Sequence, residues 1–244
     1  MNNYKLTIEY DGNKFNGWQR QKNTKNTIQE NIESSLTKLL DEKISIIGAG
    51  RTDTGVSALN QVANFKTEKK IENVKKFLYS LNSILPDEIS IKKLAKVPLK
   101  FHSRYSAKKR IYEYYITTVK KAIGKDHYYK LIYKLDFGKI DKLIKVIKGR
   151  KSFKSLCKND FDKHDFFCNV QELKYFKVNK NEIFFRIVSD RYLHSMVRAI
   201  IGCLIDIGRG KLDLQTTVSK FKKGEKIKAT YLPGNALILK KIYY

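Results

Sequence analysis

Residues 50–58 read GRTDTGVSA, and the arrangement of this stretch between two apolar segments points to the fold. An apolar run at residues 44–47 precedes it and predicts a short strand, and the chain returns through a second apolar segment at residues 61–65. Gly48 and Gly50 open a tight loop, where a missing side chain lets another backbone or a ligand approach closely. The sequence therefore predicts a polar loop held between two strands.

This loop presents Arg51, Thr52 and Asp53 together. A cation and a carboxylate on a loop fixed by strands favour catalysis, because functional side chains concentrate on loops that a rigid scaffold positions. The alternative is an ordinary polar turn with a local ion pair, since charged turns are common. The glycines do not indicate a dinucleotide-binding loop, because Asp53 stands where its third glycine is needed and a strand follows.

The composition indicates a folded protein of one large domain or two small ones. Its 244 residues are 42% hydrophobic and 12% aromatic, which permits a substantial core and argues against disorder. Neither an apolar run of membrane-spanning length nor a signal-peptide pattern is present in the sequence. Three cysteines without a CxxC pair argue against a disulfide framework and a zinc site. We therefore expect a cytoplasmic protein that uses no metal.

The formal net charge of +26, from 50 Lys and Arg against 24 Asp and Glu, predicts a polyanionic partner. Nucleic acid fits best, because basic side chains bind phosphates and release condensed counterions. The alternative is that part of this charge reflects a Lys-, Ile- and Asn-rich composition of the kind an AT-rich genome produces.

Hydrophobic periodicity predicts strands and helices interleaved along the whole chain. Strands are expected at residues 5–10, 89–91, 110–116, 181–188 and 237–239, and helices at residues 28–40, 74–81, 140–147 and 193–207. No linker rich in Pro, Ser or Gly divides them. We predict an α+β architecture of two halves that meet near residues 100–110 and share one sheet.

Arg198 lies in the last predicted helix, which is apolar nearly all round. A guanidinium in such a helix is expected to be partly buried, and a buried charge is costly unless a carboxylate pairs with it. Asp53 is one candidate partner. The structural alternatives are Asp206, Asp190 or Glu182, or an extended side chain that reaches the surface.

Aromatic residues are a second candidate feature, since 15 tyrosines in a basic protein suggest stacking on bases. Ordinary strand packing accounts for most of them, but Tyr112 follows Lys109 and Arg110 directly on the strand and is the candidate stacking residue. The histidines are scattered without metal-ligand spacing, at positions 102, 127, 164 and 194. His194, ahead of Arg198, is a candidate RNA contact.

Short motifs in a fixed order carry a family resemblance. They are YDG at 10–12, GWQRQ at 17–21, TIQ at 27–29, GRTDTGVSA at 50–58, LP at 85–86, FHSRYSA at 101–107, RIYEY at 110–114 and LHSMVR at 193–198. With these motifs the chain resembles the TruA family of tRNA pseudouridine synthases over most of its length. The resemblance implies the pseudouridine synthase fold: two similar halves, residues 1–105 and 106–244, sharing a mostly antiparallel mixed sheet with helices packed on one face.

The resemblance also implies roles for individual residues. Asp53 would be the catalytic carboxylate and Arg198 its ion-pair partner. Tyr112 would stack on the target base and take part in moving a proton, Arg51 would help to extrude the nucleotide, and Leu237 would contact the base. Weaker candidates for RNA contact are Arg20, Arg104, Arg110 and His194.

The implied substrate is tRNA at uridines 38, 39 and 40 of the anticodon arm. The implied assembly is a homodimer with basic clefts, without a metal or small-molecule cofactor and away from any membrane. The alternative function is a non-catalytic basic RNA-binding protein, such as a tRNA chaperone or a ribosome-associated module, in which Asp53 is structural.

The chain departs from the family pattern at several positions. Ser57 stands at a usual His, and a changed loop contact is expected there. Lys151 and Ser152 replace a frequent His-Asp pair, Gln171 stands at a common Arg, and Ala236 at a usual Gly. These departures put RNA contacts of the C-terminal half, and the shape of the loop before Leu237, in question.

Overall fold

The structure is a computed structural model that describes residues 1–158 and 165–244; His164 lies outside these ranges. The chain forms two compact units, the first made of Met1–Lys108 and Ile238–Tyr244 and the second of Lys109–Leu237. The predicted division placed the last strand in the half 106–244, whereas the compact first unit includes it. The functional halves 1–105 and 106–244 remain a prediction.

The described residues form the following helices and strands in chain order. The strands are β1 (Asn2–Tyr10), β2 (Ile46–Gly48), β3 (Ser57–Thr67), β4 (Ile89–Val97), β5 (Lys109–Thr117), β6 (Tyr129–Lys130), β7 (Gly149–Ser152), β8 (Phe167–Lys177), β9 (Glu182–Ser189) and β10 (Leu237–Tyr243). The helices are α1 (Ile28–Leu40), α2 (Val74–Ile84), α3 (Phe137–Ile147), α4 (Met196–Gly208) and α5 (Leu214–Lys223).

In the first unit, β1 lies between β3 and β4 and pairs antiparallel with both. Strand β2 also pairs antiparallel with β3, and β10 runs parallel to β3 through Ile238 and Leu239. Helix α1 begins where the Thr27 side chain accepts a hydrogen bond from the backbone N–H of Glu30. Its buried residues recur at helical spacing, and a fully buried aliphatic side chain contributes about 1.5–3 kcal/mol.

In the second unit, β9 pairs antiparallel with β5 and β8, and β7 pairs antiparallel with β8. The short strand β6 runs parallel to β5. Helix α3 contacts α4, α5 and β8, and α4 is buried on nearly every side. The α+β class with mostly antiparallel pairing is thereby confirmed in both units.

The predicted helices are confirmed, although α4 begins later than Leu193. Ser195 takes a left-handed conformation with φ of 54°, and the backbone N–H of Met196 closes a turn onto the Leu193 carbonyl. A helix cannot pass through a left-handed residue, so α4 starts at Met196. None of the helices in the described ranges has both the length and the apolar composition that crossing a bilayer requires.

Besides the short strands β6 and β7, two longer elements escape the periodicity of the sequence. Strand β8 was missed because a bulge between Val170 and Glu172 shifts its register, so the buried positions do not alternate along the whole strand. Helix α5 was missed because it buries only Thr217 and Phe221. Its end signals are nevertheless present, since Asp213 caps its first turn and Gly224 follows its last residue with φ of 70°.

Candidate active site

The loop of residues 49–56, here called the Asp53 loop, joins β2 to β3. Its base is fixed by two hydrogen bonds: the backbone N–H of Ala49 donates to the Val62 carbonyl at 2.8 Å, and the fully buried side chain of Gln61 donates to the Gly50 carbonyl at 3.0 Å. Both partners lie on β3, so the loop leaves the sheet in one defined direction.

The residue before Asp53 is held from two sides. The Thr52 carbonyl accepts a hydrogen bond from the backbone N–H of Trp18 at 3.1 Å, and the Thr52 hydroxyl bonds the Tyr10 hydroxyl at 2.9 Å. The Asp53 carbonyl accepts the N–H of Val56 at 3.1 Å, which closes the turn. Asp53 is half-buried, whereas Arg51 is exposed. The carboxylate therefore stands on a backbone whose neighbours are fixed.

Burial raises the pKa of the Tyr10 phenol to about 12, so this hydroxyl keeps its proton at neutral pH. Tyr10 is only 3% exposed, and its ring contacts that of Trp18 with centroids 6.0 Å apart. The hydroxyl is therefore un-ionised at neutral pH, and through its bond to Thr52 it helps to position the loop.

Glycines in the preceding segment let it approach the Asp53 loop. A Cβ at Gly12 would lie 2.1 Å from the Val56 carbonyl oxygen. A Cβ at Gly17, where φ is 89°, would lie 2.9 Å from the Thr52 carbonyl oxygen. The prediction for Gly48 needs correction, because the Trp18 ring occupies the space beside it, in place of a backbone or ligand. At Gly50 no described heavy atom comes within 4 Å of the Cβ position.

Ser57, the first of the departures from the family pattern that the sequence analysis describes, makes a local contact. Its hydroxyl accepts the backbone N–H of Gly12 at 2.9 Å and donates to the Asp11 carboxylate at 3.3 Å. This serine therefore ties the first residue of β3, directly after the Asp53 loop, to the segment that precedes Trp18.

Two other arginines of the first unit have defined surroundings. The Arg20 guanidinium lies 3.2 Å from the Glu33 carboxylate, whose side chain is only 6% exposed on α1. Arg104 is exposed and lies over the Tyr105 ring, 5.8 Å from its centroid. Arg20 is thus held by a structural ion pair, and its contact with RNA remains a prediction, as does that of Arg104.

In the second unit, Tyr112 lies on β5 opposite Ile187 and is 8% exposed. Its ring meets the edge of Tyr192 with centroids 5.2 Å apart and planes at 89°. The Tyr192 hydroxyl reaches the carbonyls of Arg110 and Ile187, and burial raises its pKa well above the ordinary value. The Arg110 guanidinium donates to the Asp190 carbonyl. Tyr112 is therefore held by a neutral aromatic neighbour.

Arg198 is half-buried on α4, and its Nε donates to the Leu232 carbonyl at 2.6 Å. The three carboxylates that the sequence analysis named as alternative partners of Arg198 contact other groups. Asp206 lies 2.7 Å from Arg209, and Glu182 lies 2.6 Å from Lys121. Asp190 accepts hydrogen bonds from the backbone N–H groups of Asn169 and Arg191. The pairing of Arg198 with Asp53 remains a prediction.

Residues 232–237, here called the Leu237 loop, are fixed by groups on α4 and β5. Besides the bond from Arg198, the Tyr114 hydroxyl donates to the Pro233 carbonyl at 3.1 Å and the backbone N–H of Tyr115 donates to that of Ala236 at 3.0 Å. Burial raises the Tyr114 pKa, so its hydroxyl remains a donor. Leu237 itself is 4% exposed.

Sequence reasoning offered Asp206 only as a possible partner of Arg198 and missed its place at the end of α4, where it is fully buried. Its carboxylate accepts two hydrogen bonds from Arg209, at 3.0 and 2.7 Å, and two from Thr230, the closer at 2.8 Å from the backbone N–H. A Cβ at Gly202 would lie 1.7 Å from the Thr230 carbonyl oxygen. These contacts fasten the chain ahead of the Leu237 loop to α4.

The remaining departures and candidates also have places in the fold. Gln171 is exposed at the bulge of β8, and Lys151 lies on β7 opposite Cys168. His194 is exposed immediately before the left-handed Ser195. Within the described part of the chain, no three His, Cys, Asp or Glu side chains come together as a set of metal ligands, and the three cysteines are buried and form no disulfide with one another.

Comparison with known proteins gives consistent relatives. A family described as tRNA pseudouridine synthase matches residues 6–106 and 143–244. The tRNA pseudouridine synthase A of Caldicellulosiruptor bescii is 42% identical over 87% of this chain and 86% of its own length. The proteins of the same name from Thermodesulfovibrio yellowstonii and Bacteroides fragilis are 37% and 36% identical, over 100% and 99% of this chain and 100% and 96% of their own lengths.

Among solved structures, a chain of the Cbf5-Nop10-Gar1 complex matches 83% of this chain and 45% of its own length, with a TM-score of 0.38 and 11% identity. A likeness of that size is too weak to bear on the site.

Proposed function

This chain belongs to the tRNA pseudouridine synthase family, and we propose that it converts uridine to pseudouridine at positions 38, 39 and 40 of tRNA, with Asp53 as the catalytic carboxylate. The coarser part, isomerisation of uridine in tRNA, follows from the family. The target positions and the residue roles are the finer part of the proposal.

The reaction breaks the bond between the ribose C1′ and N1 of uracil, turns the base, and joins C1′ to C5. The proton released from C5 is balanced by the hydrogen gained at N1, so no oxidant, reductant or water is consumed. A carboxylate can serve as nucleophile at C1′ or as a base that deprotonates the sugar. Both routes require one ionised oxygen held close to the ribose.

The rigid seat of Asp53 is the observation that supports this role. Catalytic groups gain most when their position is fixed before the substrate binds, because a displacement of about 1 Å costs roughly 100-fold in rate. Thr52 is bonded through both its carbonyl and its hydroxyl, and the Asp53 carbonyl closes its own turn. An ordinary surface turn needs no such bracing.

The other residues act on the flipped nucleotide. The proposal gives Tyr112 the stacking role, Leu237 an apolar contact with the base, Arg51 the extrusion of the nucleotide and Arg198 the balancing of the Asp53 charge. Extruding a base costs a few kcal/mol, and an aromatic ring recovers part of that cost. The net charge of +26 supplies the attraction for the tRNA backbone.

We expect the Asp53→Asn variant to bind tRNA like the wild type and to form no detectable pseudouridine, because the amide keeps the shape and loses the charge. Mass spectrometry of a tRNA transcript incubated with each protein reads the product, and a fluorescence titration reads binding. Asp87→Asn, which changes an exposed carboxylate in the turn before β4, is the matched control and should retain full activity.

Product formation by Asp53→Asn would reject the catalytic assignment. If the wild-type protein bound tRNA without forming pseudouridine, the alternative would hold, and the chain would act as a non-catalytic RNA-binding module. A homodimer and a cytoplasmic location are part of the proposal and are read by sedimentation velocity and by cell fractionation.

A further inference from the structure

The loop that follows β4 in the first unit presents an aromatic ring to solvent. Tyr105 is 78% exposed, and its ring lies 4.3 Å from that of His102 between centroids, with planes 31° apart. The guanidinium of Arg104 lies 5.8 Å from the Tyr105 centroid. We call the side chains of His102, Arg104 and Tyr105 the Tyr105 platform.

An equally exposed tyrosine shows that this arrangement is not the ordinary state of a surface ring. Tyr79 on α2 is also 78% exposed. Among the described residues it has no ring partner and no cation over its face. The exposed ring of Tyr105 is therefore oriented by its contacts with His102 and Arg104, whereas the equally exposed ring of Tyr79 has no such contacts among the described residues.

The orientation of the platform comes from its own backbone. His102 Nδ1 accepts the backbone N–H groups of Arg104 at 3.2 Å and Tyr105 at 3.3 Å. The N–H of Ser106 donates to the His102 carbonyl at 2.9 Å, and the N–H of His102 returns a bond of 3.3 Å to the Ser106 hydroxyl. The His102 imidazole thus accepts two backbone hydrogen bonds of the turn that carries Tyr105.

A buried amide network holds this turn to the sheet. The Asn64 side chain accepts the backbone N–H of Ser103 at 2.9 Å and donates to the Asn3 side chain at 3.0 Å. Asn3 in turn donates to the carbonyls of Pro98 and Phe101, each at 3.0 Å. Asn3, Asn64 and Ser103 are at most 1% exposed. A connected buried network of this kind rigidifies the segment that it holds.

The charge around the platform indicates which partner it meets. Residues 98–108, the segment that carries the platform, include Lys100, Arg104 and Lys108 and no Asp or Glu. An exposed, pre-oriented ring beside an arginine in such a segment matches an unpaired base with its phosphate, since aromatic rings stack on bases and cations contact the backbone.

We propose that the Tyr105 platform is a second RNA-binding site, where Tyr105 stacks on an unpaired base of the substrate and Arg104 contacts the adjoining phosphate. This site is distinct in residues from the catalytic set. It rests on the proposed function only in taking tRNA as the ligand. Because the ring is fixed before binding, little side-chain entropy is lost on stacking.

Binding of an unmodified tRNA transcript tests the proposal in an Asp53→Asn background, where no turnover disturbs the titration. Tyr105→Ala should weaken binding about tenfold, in the range that loss of one stacked base produces. Tyr105→Phe keeps the ring and should bind as tightly as the parent. Tyr79→Ala, the matched exposed ring, should also bind like the parent.

Salt dependence separates the two side chains of the platform. Arg104→Gln should reduce the slope of log K against log salt by about 0.7–0.9, because one phosphate contact is lost. Tyr105→Ala should leave that slope unchanged, because the ring carries no charge. Crosslinking of the bound transcript by ultraviolet light, read by mass spectrometry, should place a nucleotide on Tyr105.

Parental affinity in Tyr105→Ala would overturn the proposal, and so would an equal loss in Tyr79→Ala. Thermal melting of each variant confirms that it is folded, which the exposure of both rings leads us to expect. If Asp53→Asn were still active, the catalytic assignment would fail, whereas the binding comparison could be repeated in the wild type without change.

Discussion

The Asp53 loop of the first unit and the Leu237 loop of the second are both immobilised, but by different means. Beyond the base that β3 holds, the Asp53 loop is braced by another loop, through the Trp18 backbone and through close approaches that Gly12 and Gly17 permit. The Leu237 loop is braced by regular elements, because Arg198 on α4 and Tyr114 on β5 donate to its carbonyls.

This difference has a physical consequence. Loop-to-loop bracing works through backbone atoms, so it depends on small residues and tolerates no added side chain. Bracing by helix and strand works, besides the backbone bond from Tyr115, through the long polar side chains of Arg198 and Tyr114, which can lose one hydrogen bond and keep their packing. An added side chain should therefore displace the Asp53 loop by steric clash. Removing a polar side chain should weaken the Leu237 loop by one hydrogen bond at a time. The exception is Gly202, where α4 itself packs directly against the backbone of Thr230.

That exception, Gly202→Ala, is expected to have the largest effect. The added Cβ would stand 1.7 Å from the Thr230 carbonyl oxygen, a backbone atom that cannot move without shifting the chain. We expect a loss of about 3 kcal/mol or more in the free energy of unfolding, measured by urea denaturation. The control is Gly138→Ala on α3, where the nearest atom is the end of the Asp136 side chain at 3.2 Å, and its effect should stay within about 1 kcal/mol. Equal effects at the two sites would show that the backbone approach is unimportant.

The next effect is expected from Gly12→Ala, which tests the bracing of the Asp53 loop. Its Cβ would stand 2.1 Å from the Val56 carbonyl oxygen, so the loop must move. We expect about 2–3 kcal/mol of destabilisation and a fall in kcat of at least tenfold with tRNA affinity retained, because Asp53 is displaced and the basic surface is unchanged. Gly50→Ala provides the control for stability, since no described atom lies within 4 Å of its Cβ. A stable Gly12→Ala enzyme with normal kcat would contradict the proposed bracing.

A matched pair of hydroxyl deletions sharpens the comparison further. Tyr114→Phe removes the bond to Pro233, and Tyr10→Phe removes the bond to Thr52. Each should cost about 1 kcal/mol of stability, since one buried hydrogen bond is lost. Only Tyr10→Phe acts on the residue next to Asp53, so it should lower kcat more than it changes KM. Steady-state kinetics with tRNA distinguishes the two variants. A larger loss of kcat in Tyr114→Phe than in Tyr10→Phe would show that the Leu237 loop affects turnover more than the Asp53 loop does.

The smallest expected effect is on stability at high pH, where Tyr10 titrates. Because burial raises its pKa from 10.0 to about 12, the neutral phenol contributes stability that is fully present below pH 10 and is lost as the pH rises towards 12. Wild-type protein should therefore lose more stability than Tyr10→Phe between these pH values. Denaturant midpoints measured at pH 9 and pH 11 check this, and parallel curves for the two proteins would show that Tyr10 is not shielded.

The sequence was sufficient to find the Asp53 loop, since its strands, its glycines and its polar residues are contiguous. It was also sufficient to put Arg198 on an apolar helix. It could not show the partners of Asp206, because they include Thr230, whose proximity depends on how α4 packs. The Arg20–Glu33 ion pair was likewise unreadable, since it depends on the path of the chain between Trp18 and α1.

The errors have equally local causes. Gly48 was expected to admit a backbone or a ligand, but a glycine reports only missing volume, and the Trp18 ring fills it. The start of α4 was placed too early because Leu193 fits the helical pattern, while the left-handed Ser195 carries no compositional signal. Strand β8 was lost to a bulge, which interrupts the alternation on which strand prediction depends.

The position of β10 has a consequence for how the chain reaches its native state. Ile238–Tyr244 completes the first unit, where the Tyr244 hydroxyl donates to the Ser103 carbonyl and its ring contacts Phe101. On the ribosome, these residues are made only after the whole second unit has been synthesised. The first unit therefore stays incompletely folded until the second unit has been synthesised. A chain that terminates before residue 238 would lack the strand that completes the first unit.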